Sequence, residues 1–269
     1  MKRIVVGSLA VAALTLFASG CQKLKARDEL NKGVQAFKNA QYPQAVERFK
    51  TAVELDPSFS TARLYLATAY MQQYIPGADS PDNMQMADAA KDQFEHVLSA
   101  EPKNELAIAS IANLYFQEKK FDEAEKWYQK QVEVDPKSKE AYYTLGVIAW
   151  TKAFQPRMDA RAKLGMKPED PGPIKDKKVR AELAAKNGPV IDEGIKDLDK
   201  ALQLDPEYDD AMAYENLLYR EKADLEDSPE AYKKDTEIAD NWVQKSLDTR
   251  KIKAERKPAG AGGITTDTK

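Results

Sequence analysis

The sequence has 269 residues, of which 41 are Lys or Arg and 44 are Asp or Glu, and it contains one Cys and one His. The near balance of charge argues against a general nucleic-acid binder, which would carry a strong basic excess. A single Cys excludes a disulfide within the chain, and Cys or His clusters for a zinc site are missing. A nucleophile–His triad would have to use His96. We therefore expect a protein that is not an enzyme and that uses no metal or other cofactor.

The first predicted element is an apolar segment with a basic start. Lys2 and Arg3 precede an uncharged stretch of 14 residues at positions 4–17. A helix needs about 20 apolar residues to span a bilayer, so this stretch is better suited to a secretory signal. It ends in Ala18-Ser19-Gly20-Cys21, small residues followed by Cys. This ending resembles the lipobox of bacterial lipoproteins.

The lipobox resemblance implies that residues 1–20 are a lipoprotein signal peptide and that Cys21 is lipidated. Two or more acyl chains anchor a protein stably, and in that family Gln22 after the Cys favours the outer membrane. We therefore expect a membrane-anchored protein of the cell envelope that faces the periplasm, with about five residues between Cys21 and the first helix. The alternatives are an ordinary signal peptide or an uncleaved apolar N-terminus, with Cys21 incidental.

Four short motifs recur in the rest of the chain. They are LDP at 55–57, AEP at 100–102, VDP at 134–136 and LDP at 204–206, so successive prolines are 45, 34 and 70 residues apart. A period of 34 residues is that of the tetratricopeptide repeat, a helix–turn–helix unit. The other two spacings equal one repeat plus an insertion of 11 or 36 residues.

Small and aromatic residues inside each unit support the same interpretation. In the first unit Gly33 allows two helices to approach closely, Phe49 fills the space beside them, and Pro57 ends the second helix. The chain therefore resembles the tetratricopeptide (TPR) family. The resemblance implies an all-α, TPR-like helix–turn–helix solenoid of about five repeats, with insertions in repeats 2 and 4 and a long C-terminal capping helix. The solenoid is expected over residues 21–257, with repeats at about 26–59, 60–104, 105–138, 139–208 and 209–248.

The two insertions, at 75–86 and 155–189, fall between the helices of a unit. The second half of the longer one predicts an extra amphipathic helix, with Ile174, Val179 and Leu183 apolar and Asn187-Gly188 as its stop signal. Loops of this length are uncommon unless they are functional or disordered. A partner-binding or lid role is one hypothesis, and passive decoration or disorder is the other.

The last predicted helix runs from Pro229 to about Lys257 and caps the array, because the final repeat would otherwise expose its core. Its predicted apolar face consists of Ala231, Ile238, Ala239, Trp242, Val243 and Leu247. Residues 258–269 have no apolar pattern and are expected to be disordered.

A groove on the concave surface is the candidate binding site. In solenoids of this family the first helix of each unit lines that surface. The groove-facing candidates are Tyr65, Asn113, Phe116, Tyr143, Trp150 and Tyr214. Aromatic side chains with a polar tip suit a peptide-binding surface. The alternative for each residue is packing between repeats.

Two functions of different classes fit these features. The leading hypothesis is a lipid-anchored, non-enzymatic scaffold or adaptor of the bacterial cell envelope. It would bind a protein segment in the groove or at the insertion edge, and would not bind nucleic acid. The alternative is a small-molecule or glycan receptor whose aromatic groove is closed by the 155–189 insertion. A receptor predicts that the insertion orders on ligand binding, whereas a scaffold predicts a protein that copurifies.

Overall fold

The computed structural model describes residues 2–167 and 170–256, with side chains from Gly20 onward. Within these ranges the chain forms ten helices and no strand. The predicted all-α fold is confirmed. The helices are α1 (Lys2–Lys38), α2 (Tyr42–Leu55), α3 (Ser60–Met71), α4 (Pro81–Ala100), α5 (Glu105–Gln117), α6 (Phe121–Val134), α7 (Lys139–Lys163), α8 (Lys177–Leu204), α9 (Asp209–Ala223) and α10 (Pro229–Arg256).

The chain divides into two compact units within α6, the first ending at Lys130 and the second beginning at Gln131. In the first unit each of the helices α1 to α4 packs against the next helix in the sequence. In the second unit α7 packs against both α8 and α9, and α9 packs against α8 and α10. Helices α7 and α9 are the first helices of successive repeats, so the second unit brings two such helices side by side.

Three of the four proline turns are closed by the Asp that precedes the proline. The carboxylates of Asp56, Asp135 and Asp205 each accept a hydrogen bond from the backbone N–H two residues further along, at 3.0–3.1 Å. Proline disfavours helical backbone at the residue before it, and the Asp side chain supplies an acceptor at the turn. The recurring motif therefore ends each second helix through local chemistry.

Glycine allows the helices of a hairpin to approach closely at two equivalent positions. A Cβ at Gly33 of α1 would overlap the ring of Phe49 on α2, and a Cβ at Gly146 of α7 would overlap the side chain of Leu198 on α8. Phe49 and Leu198 are fully buried. A small residue opposite a large one lets the two backbones pack at native density.

The first helix differs from the expectation at the N-terminus. Helix α1 runs without a break from Lys2 through Cys21 to Lys38, so no separate linker connects Cys21 to the first repeat. Cys21 itself is exposed. Residues 22–25 are good helix formers with no Pro or Gly, which explains why the helix continues. Among the residues with described side chains, none of the helices is apolar over a length that could cross a membrane.

The longer insertion does not contain the predicted separate helix. Its described residues extend α7 to Lys163, form a loop, and then begin α8 at Lys177. Helix α8 continues through Asn187-Gly188, so the predicted stop is wrong. The buried Asn187 side chain donates instead to the backbone carbonyl of Ala153 on α7, at 3.3 Å. This cross-helix bond uses the Asn amide that would otherwise end the helix.

The C-terminal helix has the predicted start, and Lys257 and the tail 258–269 lie outside the described residues. Five of the six residues of its predicted apolar face are buried or partly buried, and Leu247 is the exception. Ala239 is buried as expected, but Leu247 is 54% exposed, and the other buried positions are Asp235 and Ser246. Ser246 Oγ donates to the backbone carbonyl of Asp209 at 3.0 Å. The predicted face is therefore largely confirmed, and polar side chains such as Asp235 and Ser246 complete it.

Candidate functional site

Tyr65, the first groove candidate, stacks on the buried ring of Phe49 with centroids 5.4 Å apart. It is 36% exposed, so one face of its ring contacts the core and the rest contacts solvent. Tyr65 therefore packs against the core and also remains accessible to solvent.

Asn113 and Phe116 on α5 are engaged within their own repeat. Asn113 Oδ1 accepts a hydrogen bond from Gln117 Nε2 at 2.7 Å. Phe116 contacts Phe121 and Tyr128 edge-on, at 5.9 and 6.5 Å between centroids. No ring contact between these residues and Tyr65 is found in the described part of the first unit. The first unit therefore does not gather its three candidates into one ring cluster.

The second unit, in contrast, brings its three candidates together. Tyr214 contacts both Tyr143 and Trp150 edge-on, each at 5.6 Å between centroids. Two further rings extend this group, Tyr208 at 5.0 Å from Tyr143 and Phe154 at 5.0 Å from Trp150. We call the five rings Tyr208, Tyr143, Tyr214, Trp150 and Phe154 the aromatic row. All five are partly buried, so each keeps some surface for a ligand.

The positions of the rings follow from helix geometry. Tyr143 and Trp150 are seven residues apart on α7 and Phe154 is four further, so the three share one face. Tyr214 lies on α9, which packs beside α7, and Tyr208 immediately precedes that helix. The two helices run in the same direction, since increasing positions on α7 meet increasing positions on α9.

The phenol groups in the row stay protonated at neutral pH. Burial raises the pKa of Tyr143 and of Tyr214 above the ordinary value, and the nearby charge of Asp210 raises both further. Burial and then Glu140 raise the pKa of Tyr208 to about 12. Three hydroxyl groups are therefore available as donors and acceptors beside apolar ring faces.

One end of the aromatic row contacts charged side chains. The Trp150 side chain lies close enough to the carboxylate of Glu221 on α9 to lower the pKa of that carboxylate, and the Arg157 guanidinium lies 5.6 Å from the centroid of Phe154. These two charged residues are themselves an ion pair, with 2.7 Å between Arg157 Nε and Glu221 Oε2. The row thus ends in a polar contact and not in solvent.

The described residues of the 155–189 insertion are packed into the second unit. Ile174 is fully buried and Met166 is 4% exposed. The buried Arg180 donates from Nη1 to the backbone carbonyl of Ile174 at 2.7 Å, and Ile174 N–H donates to the carbonyl of Asp224 at 3.0 Å. These contacts favour a packed element over a lid that orders only when a ligand binds.

The shorter insertion is held by one side chain. Asn83, which is 8% exposed, accepts from the N–H of Ile75 at 2.7 Å and donates to the carbonyls of Ile75 and Ala78 at 2.9 and 2.7 Å. Its amide therefore closes the loop between α3 and α4.

Metal-binding chemistry has no visible basis in the described ranges, where no group of three or more Cys, His, Asp or Glu side chains is arranged to hold an ion. The site offers aromatic surface, hydroxyl groups and one ion pair. These are groups for binding a ligand.

Sequence reasoning missed four residues of this site. Phe154 follows Trp150 by one helical turn, so helical periodicity was a usable signal for it. Tyr208 precedes its helix, where no periodicity applies. Arg157 and Glu221 are 64 positions apart, and no local pattern indicates that they meet.

Comparisons with sequence families give two matches. Residues 84–146 match a family described as tetratricopeptide repeat, and residues 30–74 match a second family with the same description. Trp150 and Tyr214 lie outside both segments. No curated protein sequence matches the chain.

Solved structures with the same fold cover most of the chain. A crystal structure of MamA protein has a TM-score of 0.59 at 14% identity and covers 87% of this chain and 97% of that one. MamA from Desulfovibrio magneticus RS-1 has a TM-score of 0.55 at 16% identity, covering 85% and 96%. YrrB, described as a TPR protein with an unusual peptide-binding site, has a TM-score of 0.52 at 18% identity, covering 84% and 90%. At these identities the likeness establishes the helical-repeat fold.

Proposed function

The chain contains tetratricopeptide repeats, and from this premise we propose that it is a non-enzymatic adaptor that binds an extended segment of another protein along the aromatic row. We further propose that it is anchored by lipid at Cys21 in the bacterial cell envelope, on the periplasmic face of the outer membrane. Repeats of this kind bury their cores by stacking and leave an extended surface for partners.

The aromatic row is the observation that carries the binding proposal. Its rings lie 5.0–5.6 Å from their neighbours. From Tyr143 to Phe154 the row follows α7 for about 16 Å, which matches roughly five residues of an extended segment at about 3.3 Å per residue. Tyr and Trp contribute large contact areas and polar tips, and such residues dominate the binding energy at many interfaces. The description of YrrB as having a peptide-binding site supports the same class of ligand.

The anchoring proposal depends on the sequence before the repeats. The small residues at 18–20 followed by Cys21 support it, and the thiol of Cys21 is exposed. Because α1 is continuous, the five steps from Cys21 to Ala26 of the first repeat advance the chain by about 8 Å along the helix axis. We therefore expect the first repeat to lie close to the membrane surface.

Photocrosslinking in cells tests the binding proposal. A photoreactive phenylalanine analogue is placed at Tyr143, at Trp150 and, as a control, at the fully buried Phe49. We expect a discrete protein adduct at the two row positions and none at Phe49. No adduct from folded, correctly localised protein at either row position would contradict the proposal.

Cys21→Ser tests the anchor in the same cells. We expect this variant to leave the membrane fraction and to give less adduct, because the partner and the adaptor no longer share one surface. Membrane association that is unchanged by Cys21→Ser would contradict lipid anchoring. It would not affect the proposal that the aromatic row binds a protein segment.

A further inference from the structure

The charged residues at the end of the aromatic row form one connected group, Arg157, Arg161, Glu221 and Asp224, which we call the charged cluster. Arg157 and Arg161 lie on α7, Glu221 lies on α9, and Asp224 follows the end of α9. The proposed binding function uses the rings and leaves this group without a role.

The charged cluster packs against the last two rings of the aromatic row, Trp150 and Phe154. Glu221 lies beside Trp150, and the Arg157 guanidinium lies over the ring of Phe154, 5.6 Å from its centroid. Arg157 is fixed in turn, because its Nε pairs with Glu221 at 2.7 Å and its Nη1 donates to Asp224 at 2.8 Å. The side chains of Arg157, Glu221 and Asp224 are only 14, 2 and 5% exposed. Rotation of either ring would therefore disturb a buried ion pair.

The cluster also reaches the 155–189 insertion. Arg161, which is 2% exposed, donates from Nη1 to both carboxylate oxygens of Asp224 at 3.0 Å. Its Nη2 donates to the carbonyls of Lys167 and Asp170 in the insertion, at 2.9 and 2.6 Å. Asp224 is thus shared between the arginine that contacts Phe154 and the arginine that holds the loop.

Stability alone gives a weak account of such a cluster. Taking charges out of water costs several kcal/mol per ion, so well-packed apolar residues often stabilise a fold equally well. What buried Arg–carboxylate contacts add is fixed geometry, because the planar guanidinium presents its donors in a rigid arrangement. In this protein that geometry is imposed on Trp150 and Phe154.

The ionisation of Glu221 can be used to test whether the charged cluster positions the two rings. From α7 it faces Arg157 and Trp150, and from its own helix end it faces Asp224. Burial raises the pKa of Glu221 to about 7, against the opposing effect of Arg157. The carboxylate beside Trp150 therefore changes charge close to neutral pH.

We propose, building on the adaptor function above, that Arg157 and Glu221 are positioning residues for the aromatic row and that the 155–189 insertion sets their geometry through Arg161 and Asp224. The insertion then acts as a buttress that fixes Trp150 and Phe154 in the orientation a partner segment binds.

Fluorescence of Trp150 tests the positioning role without any partner. In a Trp127→Phe, Trp242→Phe background, Trp150 is the single emitter. Its emission maximum and its quenching by acrylamide are measured from about pH 5.5 to about pH 8.5, a range that brackets the Glu221 titration. We expect a titration near pH 7 that Glu221→Gln abolishes, and an altered environment in Arg157→Met that Arg157→Lys restores in part.

A control separates positioning from general stability. Arg220→Met removes an exposed arginine that pairs with Asp240 on α10, and we expect the parent emission and titration from it. If Glu221→Gln and Arg157→Met are both folded and both keep the parent emission and pH profile, the positioning role is overturned. Arg157→Lys, which keeps the charge, provides the readout if Arg157→Met does not fold.

Crosslinking at Tyr143 then distinguishes the two proposals. We expect a several-fold loss of adduct in Arg157→Met and in Arg161→Met, with partial recovery in Arg157→Lys. Unchanged adduct in folded Arg157→Met would overturn the link to binding. Absence of any adduct in the parent, together with the expected Trp150 titration, would contradict the adaptor function and leave the positioning of the rings in place.

Discussion

In the first unit, carboxylates such as Glu29 and Asp56 have partners beside them, whereas in the second unit several carboxylates are enclosed. Hydrogen bonds from Lys32 and from Ser58 hold the pKa of Glu29 and of Asp56, respectively, below the ordinary values. Burial raises the pKa of Glu215 to about 8 and that of Glu221 to about 7. The second unit also has paired carboxylates near its surface, such as Asp205 with Lys139, so the difference lies in its interior.

This difference distinguishes a repeat whose charges lie at the surface from a repeat that also encloses charges in its interior. Charges at the surface of a repeat keep it soluble and cost little, because water still solvates them. Enclosed carboxylates with a raised pKa lower stability as they ionise, and one of them, Glu221, lies at the end of the aromatic row. Ionisation of Glu221 should therefore lower stability in the region where we place binding.

Among the substitutions considered, Arg161→Met should cause the largest loss of stability in the second unit. Without Arg161, Asp224 keeps only Arg157 as a partner, and the carbonyls of Lys167 and Asp170 lose their donor. Because all of these groups are enclosed, we expect a loss of about 3–5 kcal/mol in the unfolding free energy. Hydrogen exchange should show faster exchange in α7 to α9 and no change in α1 to α4. The matched Arg220→Met, at a side chain that is 44% exposed, should cost less than about 1 kcal/mol. Equal losses in the two variants would contradict a special role of the buried pair.

Glu215→Gln tests the sign of the pH dependence in the second unit. Glu215 is fully buried, neither of its carboxylate oxygens has a hydrogen-bond partner, and the nearest charges are Asp199 and Lys245. Its pKa is raised in the folded state, so its contribution is intact below about pH 4.5 and is lost as the pH rises through about 8. We expect the unfolding free energy of the parent, measured with urea, to fall by about 3 kcal/mol or more across this range. The unfolding free energy of the Gln variant should fall less.

Glu29→Gln is the matched change in the first unit and should act with the opposite sign. Because the pKa of Glu29 is lowered in the folded state, its stabilising contribution is present at neutral pH and is lost as the pH falls. The Gln variant should therefore be less stable than the parent at pH 7 and equal to it in acid. Parallel pH curves for the two variants would contradict the comparison between the units.

Lys91→Met probes the one strongly enclosed ion pair that we find in the described part of the first unit. Lys91 is 8% exposed and pairs at 2.7 Å with Glu118, whose side chain is fully buried. Glu118 keeps a second partner, Lys120, at 2.9 Å, so we expect a loss of only about 1–2 kcal/mol in urea unfolding. The double variant Lys91→Met, Lys120→Met should lose more than the sum of the single losses. Additive losses would show that Lys120 does not compensate.

Helix caps should give the smallest effects, and the same effect in each unit. Asn104 accepts from the N–H of Ala107 at the start of α5, and Asp176 accepts from the N–H groups of Lys178 and Val179 at the start of α8. Replacing either cap by Ala should cost about 1 kcal/mol, measured by thermal unfolding. A much larger loss for Asp176→Ala would show that the insertion depends on its cap as well as on the charged cluster.

Local patterns predicted most of the fold. The Asp-Pro motifs end helices through bonds that span two residues, and Gly33 with Phe49 reports a close helix approach, so both features are readable from the sequence. The spacing of Tyr143 and Trp150 likewise places them on one face of α7. Each of these depends on residues that are close in the sequence or on simple helical geometry.

The remaining features depend on contacts between distant residues. Helix α8 continues through Asn187, whose side chain bonds to a carbonyl on α7, and the C-terminal part of α10 bonds to Asp209 on α9. The charged cluster requires the register of α7 against α9. A sequence contains no local signal for such registers, which is why the polar end of the site was not predicted.

The charged cluster has a consequence for the order of folding. The turns close over two residues, whereas the bonds from Arg157 and Arg161 to Asp224 join positions 67 and 63 apart. Closing a longer loop costs more chain entropy, and folding slows as contacting residues become more distant in sequence. Individual hairpins should therefore form early, and the buttressed end of the aromatic row should be completed late. A partner that binds at this end of the row would therefore bind the fully folded adaptor and not a partly folded one.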